Sequence, residues 1–231
     1  EVIGWLYQFY IAEKKDEVFE GIKKNKKVTP ENIPAATQLF TPNWIVRYMV
    51  QNSLGRLWKL NNTDSKLEME YYIEPETKES DYLKISSPKE LKICDPACGS
   101  GHILVYAFDL LYEIYKEAGF SDDDDIIENI LTHNLYGIEI DERASELASF
   151  ALTMKAAAKS SSKRRFFKKQ TSPNICKLEV IKFESDEIKS YMDAVDRDLF
   201  TSDLQETLKQ FEEADNFGSL IVPKVQNVES I

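Results

Sequence analysis

Asp95, Gly99, Gly101 and Glu139 are the residues of this chain whose types and spacing can do chemistry. Asp95 opens the run Asp95-Pro96-Ala97-Cys98-Gly99-Ser100-Gly101-His102. The short apolar run Leu91-Lys92-Ile93-Cys94 before it reads as a buried strand. Ile103 to Tyr115 after it repeats apolar residues at helical spacing. Strand, glycine turn, helix is the geometry in which a nucleotide-like ligand lies against backbone N–H groups at a helix N-terminus. Gly99 and Gly101 permit a tight turn and close backbone approach. Asp95, at the strand's end, points a carboxylate into the crevice where open α/β sheets bind ligands. A lone G-x-G also occurs where glycines merely turn the chain, so the ligand must be argued from other residues.

Three features narrow the ligand. The dinucleotide fingerprint needs a third glycine, and Leu104 stands in its place. An acid leads the turn, which repels a pyrophosphate and suits an ammonium group. A second strand, Leu135-Tyr136-Gly137-Ile138-Glu139-Ile140, carries Glu139 near its end, where an acid accepts hydrogen bonds from both hydroxyls of a ribose. Between the two motifs, the acidic stretch Ser121 to Glu128 and a short helix to Leu131 lengthen a simple βαβ unit. A ligand with a ribose, an amino group and no phosphate is S-adenosylmethionine.

At these residues the chain resembles the N6-adenine DNA methyltransferases. Asp95 to Gly101 is similar to their cofactor motif, and Glu139 sits where their ribose-binding acid sits. Gln38-Leu39-Phe40-Thr41-Pro42 resembles the segment that closes over the methionine end when the cofactor motif precedes the catalytic one. From about Trp5 to Lys159 the chain looks most like the PglX-type methyltransferases of BREX phage-defence systems, with type I and type IIG restriction-modification methyltransferases next. The resemblance implies a Rossmann-like class I methyltransferase sheet, α/β with helices on both faces, preceded by an α-helical N-terminal segment. It implies that Asp95 holds the methionine amino group, with Pro96 and Ala97 beside it. Gly99 and Gly101 face the cofactor, Glu139 binds the ribose and Ile140 lies against the adenine. Thr41 contacts the methionine carboxylate. Thr41 also has a purely structural reading, as N-cap of a helix starting at Pro42. His102 is expected to pack and His133 to sit at a helix end or surface. Neither has partners at metal-ligand spacing.

Amino-methylating relatives carry Asn/Asp/Ser-Pro-Pro-aromatic after the fourth strand, where the flipped adenine is held and stacked. This chain has no Pro-Pro pair, so no catalytic residue is assigned. Motif order puts the missing one after Phe217-Gly218-Ser219-Leu220-Ile221. With Glu1 in place of an initiator Met, the expectation is a piece of a larger enzyme that does not methylate DNA by itself. The resemblance gives double-stranded DNA as partner of the full-length enzyme, and other defence-system proteins as further partners. The competing reading is a non-catalytic methyltransferase-like module for DNA recognition or assembly. An NAD-dependent oxidoreductase would need a phosphate-friendly turn and the third glycine.

The chain has 231 residues, enough for one domain with a helical attachment, and 42% are hydrophobic. It contains no apolar run long enough to span a bilayer and no signal-peptide pattern. Three cysteines, Cys94, Cys98 and Cys176, make no disulfide or zinc framework, and a reducing cytoplasm is the expected compartment. Cys94 and Cys98 read as small buried thiols beside the first strand. The net charge of -11 argues against this segment gripping DNA unaided. Lys163-Arg164-Arg165-Phe166-Phe167-Lys168-Lys169 is the one strong basic cluster. Its ordinary reading is a solvated loop, its functional one a DNA backbone contact.

Three regions are expected: a helical segment 1–60 carrying the closing motif, a polar insertion 61–88 with a short piece around Tyr71-Tyr72, and a partial cofactor-binding domain 89–231. Glu1 to Lys24 reads as a helix turning Trp5, Leu6, Phe9 and Tyr10 toward a core. Pro42 to Leu60 reads as a second, with Ile45, Met49 and Leu57 on one face. Asp141 starts a helix to Lys159 that sets Ala144, Leu147, Ala148, Ala151 and Leu152 against the sheet. Ser160 to Ser172 reads as a loop, Lys177 to Phe183 as the third strand and Thr201 to Glu213 as a helix. Phe183-Glu184-Ser185 departs from the family's usual adenine-contacting form.

Overall fold

A computed structural model describes residues 2–29, 32–37, 40–77, 79–169 and 171–179, with short stretches at 186–187, 190, 209–211 and 221–222. The chain divides into two units, one of Glu1–Val28 with Asn32–Leu178, the other of Thr29–Glu31 with Glu179–Ile231. In the second unit, residues 186–187, 190 and 209–211 are helical, and the Ser190 hydroxyl donates to the Asp186 carbonyl at 2.8 Å. The remainder of the expected helix Thr201 to Glu213 lies outside the described residues, as do Phe183-Glu184-Ser185 and 217–220.

The first unit is α/β with a small parallel sheet. Helix α1 (Val2–Lys23) leads to α2 (Ile33–Thr37), α3 (Asn43–Val50), a π turn (Gln51–Gly55) and α4 (Arg56–Asn61). After an irregular polar stretch come β1 (Ile93–Asp95), α5 (His102–Glu117), α6 (Asp123–Asn129) and a second π turn (Ile130–Asn134). The chain then forms β2 (Leu135–Glu139), α7 (Glu142–Lys159), α8 (Lys163–Lys169) and β3 (Asn174–Lys177). The strand order is β1-β2-β3, all parallel, with Asp95 beside Gly137 and Glu139 beside Lys177. Parallel neighbours need crossovers, which α5–α6 and α7–α8 supply.

Local signals explain most boundaries. The α1 helix ends where Asn25 takes a left-handed φ of 58°, a conformation asparagine tolerates, and the Lys26 N–H closes on the Gly21 carbonyl at 2.9 Å. Asp122 caps α6 by accepting from the Asp124 N–H at 2.8 Å. Asp141 caps α7 by accepting from the Ala144 N–H at 2.9 Å. Ala144, Ala148 and Leu152 are buried on the inner face of α7, while Leu147 and Ala151 are half-buried.

The core lies between α5 and the α3–α4 segment. Val46, Val50, Leu54 and Trp58 are buried against a cluster that includes Leu104, Phe108, Leu111 and Tyr115 of α5. A spacing of four residues overruns the 3.6-residue turn of an α-helix, and the π turn takes up the excess so that one stripe stays inward. The expected face was wrong: Met49 is exposed, and Ile45 and Leu57 are only half-buried. Asn134 is fully buried and satisfied, donating to the Pro88 and Leu91 carbonyls at 2.8 and 2.6 Å and accepting from Tyr115 at 3.0 Å. It ties the entry of β1 to the start of β2.

Four further expectations are corrected. Leu6, Phe9 and Tyr10 are exposed on α1, and Tyr7 is the aromatic buried there; the Trp5 side chain lies outside the described residues. The Lys163 to Lys169 cluster is a helix, with Phe166 packed against the core and Arg165 and Lys169 paired with Asp124 and Glu128 of α6. The third strand is described at Asn174–Lys177, starting ahead of the expected run: Lys177 belongs to both, Leu178 and Glu179 have no regular structure, and Val180 to Phe183 lie outside the described residues. Asn174 fixes its start by donating to the Leu131 and Thr132 carbonyls at 3.0 and 3.1 Å. Cys94 is exposed, whereas Cys98 is buried. Residues 62–77 and 79–87 are irregular, with a turn closed from the Tyr72 N–H to the Met69 carbonyl at 3.2 Å.

Candidate cofactor site

The site forms where β1 and β2 end and α5 and α7 begin. Residues 96–101 carry the chain from β1 into α5. The Cys98 N–H donates to the Ile138 carbonyl at 3.0 Å, hooking the turn onto β2, and the Gly101 N–H closes it on the Cys98 carbonyl at 2.8 Å. Gly99 and Gly101 have φ of 53° and 79°, the left-handed region that L side chains resist. The two glycines answer different needs. A Cβ on Gly101 would meet the Ala148 Cβ and Cα at 3.0 and 3.1 Å, so its absence lets α7 pack against the turn. A Cβ on Gly99 would meet no atom within 4 Å. The space over Gly99 is open.

Asp95 is half-buried at the strand's end, and its Oδ1 accepts from the Ala97 N–H at 3.2 Å. Burial pushes its carboxyl above the ordinary carboxylate range; the Ala97 bond opposes this and the nearby Glu139 charge adds to it. Glu139 is only 8% exposed. Its Oε2 accepts from the Gly99 N–H at 2.7 Å, and its Oε1 accepts from the Ile140 and Asp141 N–H groups at 2.9 and 3.0 Å. One carboxylate thus pins the glycine turn and the turn after β2 to each other. Ile140 beyond it is exposed. Burial, then the charges of Glu139 and Asp95, push the Cys98 thiol up to about 12.

A crevice enclosing about 60 Å³ opens beside the turn, lined by Tyr7, Thr41, Asp95, Ala97, Gly99 and Ser100 among others. Of the expected site residues, Thr41, Asp95, Ala97 and Gly99 meet in it. Pro96 is exposed beside it, Gly101 faces α7, and Glu139 and Ile140 border the turn rather than the crevice. Thr41 is not the N-cap expected for it: α3 starts at Asn43, Pro42 precedes it with no side-chain cap, and the Pro42 carbonyl takes the Ile45 and Val46 N–H groups. Thr41 lines the crevice instead. His102 begins α5 and stacks on Phe40 at 4.4 Å between ring centroids, a packing role as expected. His133 is exposed in the second π turn. Phe40 of the expected closing segment also lines the crevice, as do Tyr7 and Gln8, which the sequence does not point to. Tyr7 carries one faint signal, an amphipathic aromatic among apolar neighbours.

Residues 76–179 match the family described as MmeI, DNA-methyltransferase domain. The adenine-specific methyltransferase BrxX of Escherichia coli O9:H4 (strain HS) is 46% identical over 198 residues, covering 81% of this chain and 16% of that protein. The adenine-specific methyltransferase PglX of Lacticaseibacillus casei (strain Zhang) is 39% identical over 237 residues, covering 96% of this chain and 19% of that protein. The chain therefore spans under a fifth of the length of either relative.

Proposed function

We propose that the crevice binds S-adenosylmethionine, in a class I methyltransferase sheet, and serves N6-adenine methylation of DNA in phage defence or restriction-modification. The chain resembles PglX-type adenine-specific methyltransferases over most of its length, which supports this reading. One observation carries the ligand. Among the described residues, the crevice wall contains the Asp95 carboxylate and no lysine or arginine. Such a wall repels a phosphate and attracts an ammonium group. The open space over Gly99 gives the ligand backbone access. The enclosed volume suits an amino-acid head group, which leaves the adenosine to run outward past Glu139 toward Ile140.

When bound, S-adenosylmethionine supplies an electrophilic methyl group. The residues of this chain bind and orient it. Asp95 accepts from the ammonium, Thr41 donates to the carboxylate from the opposite wall, and the turn at Pro96, Ala97 and Gly99 supplies close backbone. Glu139 holds the two turns in register and turns its remaining acceptor capacity toward the ribose; Ile140 covers the adenine. Orientation of the methyl group toward the target amine is the contribution such a site makes to rate. Double-stranded DNA is the substrate of the full-length protein, acting with other defence proteins.

The test is calorimetric titration of the full-length protein with S-adenosylmethionine, repeated with Asp95→Ala and Glu139→Ala. Saturable binding that weakens at least tenfold in Asp95→Ala supports the reading, since a charge-assisted hydrogen bond is worth about 1.5–3 kcal/mol. Binding indifferent to Asp95 would overturn it.

A further inference from the structure

Helix α1 is held against the site by two tyrosines three residues apart, on one helical face. Tyr7 is 6% exposed, between Leu6 at 65% and Phe9 at 85%. Among the described side chains of this turn of α1, the apolar Leu6 and Phe9 stand in solvent while the Tyr7 phenol is buried and finds a polar partner. The Tyr7 hydroxyl donates to Asp141 Oδ1 at 3.1 Å, across 134 positions of sequence. That same oxygen caps α7 through the Ala144 N–H, and the Asp141 N–H donates to Glu139 Oε1 at 3.0 Å. One turn further along α1, the Tyr10 hydroxyl accepts from Arg143 Nη1 at 3.1 Å, with the guanidinium 5.7 Å from the ring centroid. Tyr7 also lines the crevice beside Gly99 and Asp95.

We infer that Tyr7 is a positioning residue of the cofactor site, through which α1 clasps the Glu139–Asp141 turn. The chain of contacts is short: Tyr7 to Asp141, Asp141 to Glu139, Glu139 to the Gly99 N–H. Each link is a hydrogen bond, and each fixes a group that borders the space where the ligand lies. A turn with three backbone N–H groups and one carboxylate keeps its register only while Asp141 stays in place. The cap on α7 holds Asp141 from one side and Tyr7 holds it from the other. The inference rests on the cofactor reading above. It adds that the N-terminal helix is a working wall of the site, although it lies outside every motif in the sequence.

The test is a double-mutant cycle in the full-length protein with Tyr7→Phe, Asp141→Ala and the pair, reading the Kd for S-adenosylmethionine and the urea midpoint of each. Tyr7→Phe keeps the ring and its packing and removes only the hydroxyl. The expected result is a five- to tenfold weaker Kd in Tyr7→Phe and no further weakening when it is added to Asp141→Ala, because the clasp runs through Asp141. A role confined to stability would lower the urea midpoint and leave the Kd within twofold of wild type, which overturns the inference. Independent, additive losses overturn it as well. Wild-type binding that Asp95→Ala abolishes while Tyr7→Phe leaves it intact sinks the clasp and spares the cofactor reading. No saturable binding by the folded wild-type protein sinks both.

Discussion

Replacing Gly99 and Gly101 by alanine separates the two jobs of the turn. Both residues have positive φ, and an alanine there costs about 1–2 kcal/mol. A stiffer unfolded chain returns about 0.4–1 kcal/mol of that. Gly99→Ala ends there, because its Cβ would meet nothing within 4 Å; the net destabilisation is about 0.5–1.5 kcal/mol. Gly101→Ala also drives a methyl against Ala148 at 3.0 Å from its Cβ and 3.1 Å from its Cα. Backbone cannot step aside as a flexible side chain does, and overpacking of this kind adds about 1–3 kcal/mol. The expected loss is about 2–4 kcal/mol. Urea unfolding reads both from the midpoint, provided the slope is unchanged. Titration with S-adenosylmethionine reads the other job: the Gly99→Ala methyl occupies the open space, and binding falls at least tenfold in a protein that remains folded. Equal stability of the two variants would refute the packing argument, and wild-type affinity in Gly99→Ala would refute the assignment of that space to the ligand.

The Asp95 carboxyl, raised mainly by burial, gives the site a pH signature. Its folded-state pKa lies above the unfolded one, so its contribution to stability is fully present below the ordinary carboxylate pKa and is lost as pH rises through the raised value. Affinity for S-adenosylmethionine moves oppositely, rising with pH as Asp95 ionises; calorimetry across about pH 4–8 should show this limb in wild type and none in Asp95→Asn, and a flat wild-type profile would contradict it. Thiol labelling at about pH 8, well below the value of about 12 reached by Cys98, should modify exposed Cys94 and Cys176 quickly and Cys98 only on unfolding. Three fast thiols in the native protein would show that Cys98 is not buried as described.

What the sequence determined by itself is local. Left-handed glycines, a capping aspartate and apolar spacing act within a few residues. The Asp95 to Gly101 turn, the helix after it, the strand ending at Glu139 and the start of α7 at Asp141 are therefore legible in the order of residues alone. Thr41-Pro42 shows the limit of such signals. The dipeptide is a good helix start, yet α3 begins at Asn43, since the Pro42 carbonyl supplies the first acceptor and leaves Thr41 to the crevice. Tertiary structure decided the features that depend on partners far along the chain. Tyr7 and Tyr10 of α1 find Asp141 and Arg143, more than a hundred residues away, and nothing in the local spacing of α1 points to those partners. The α8 segment sits where Phe166 reaches the core and two of its cations meet carboxylates of α6. The inward stripe of α3 and α4 needed a π turn that no periodicity announces. Glu139 was visible as an acid at a strand's end, but its hold on the Gly99, Ile140 and Asp141 N–H groups came only with the fold. A residue's type limits the bonds it can make, while the partners it finds depend on chain closures that bring distant segments together, and those closures leave no mark at the residue itself.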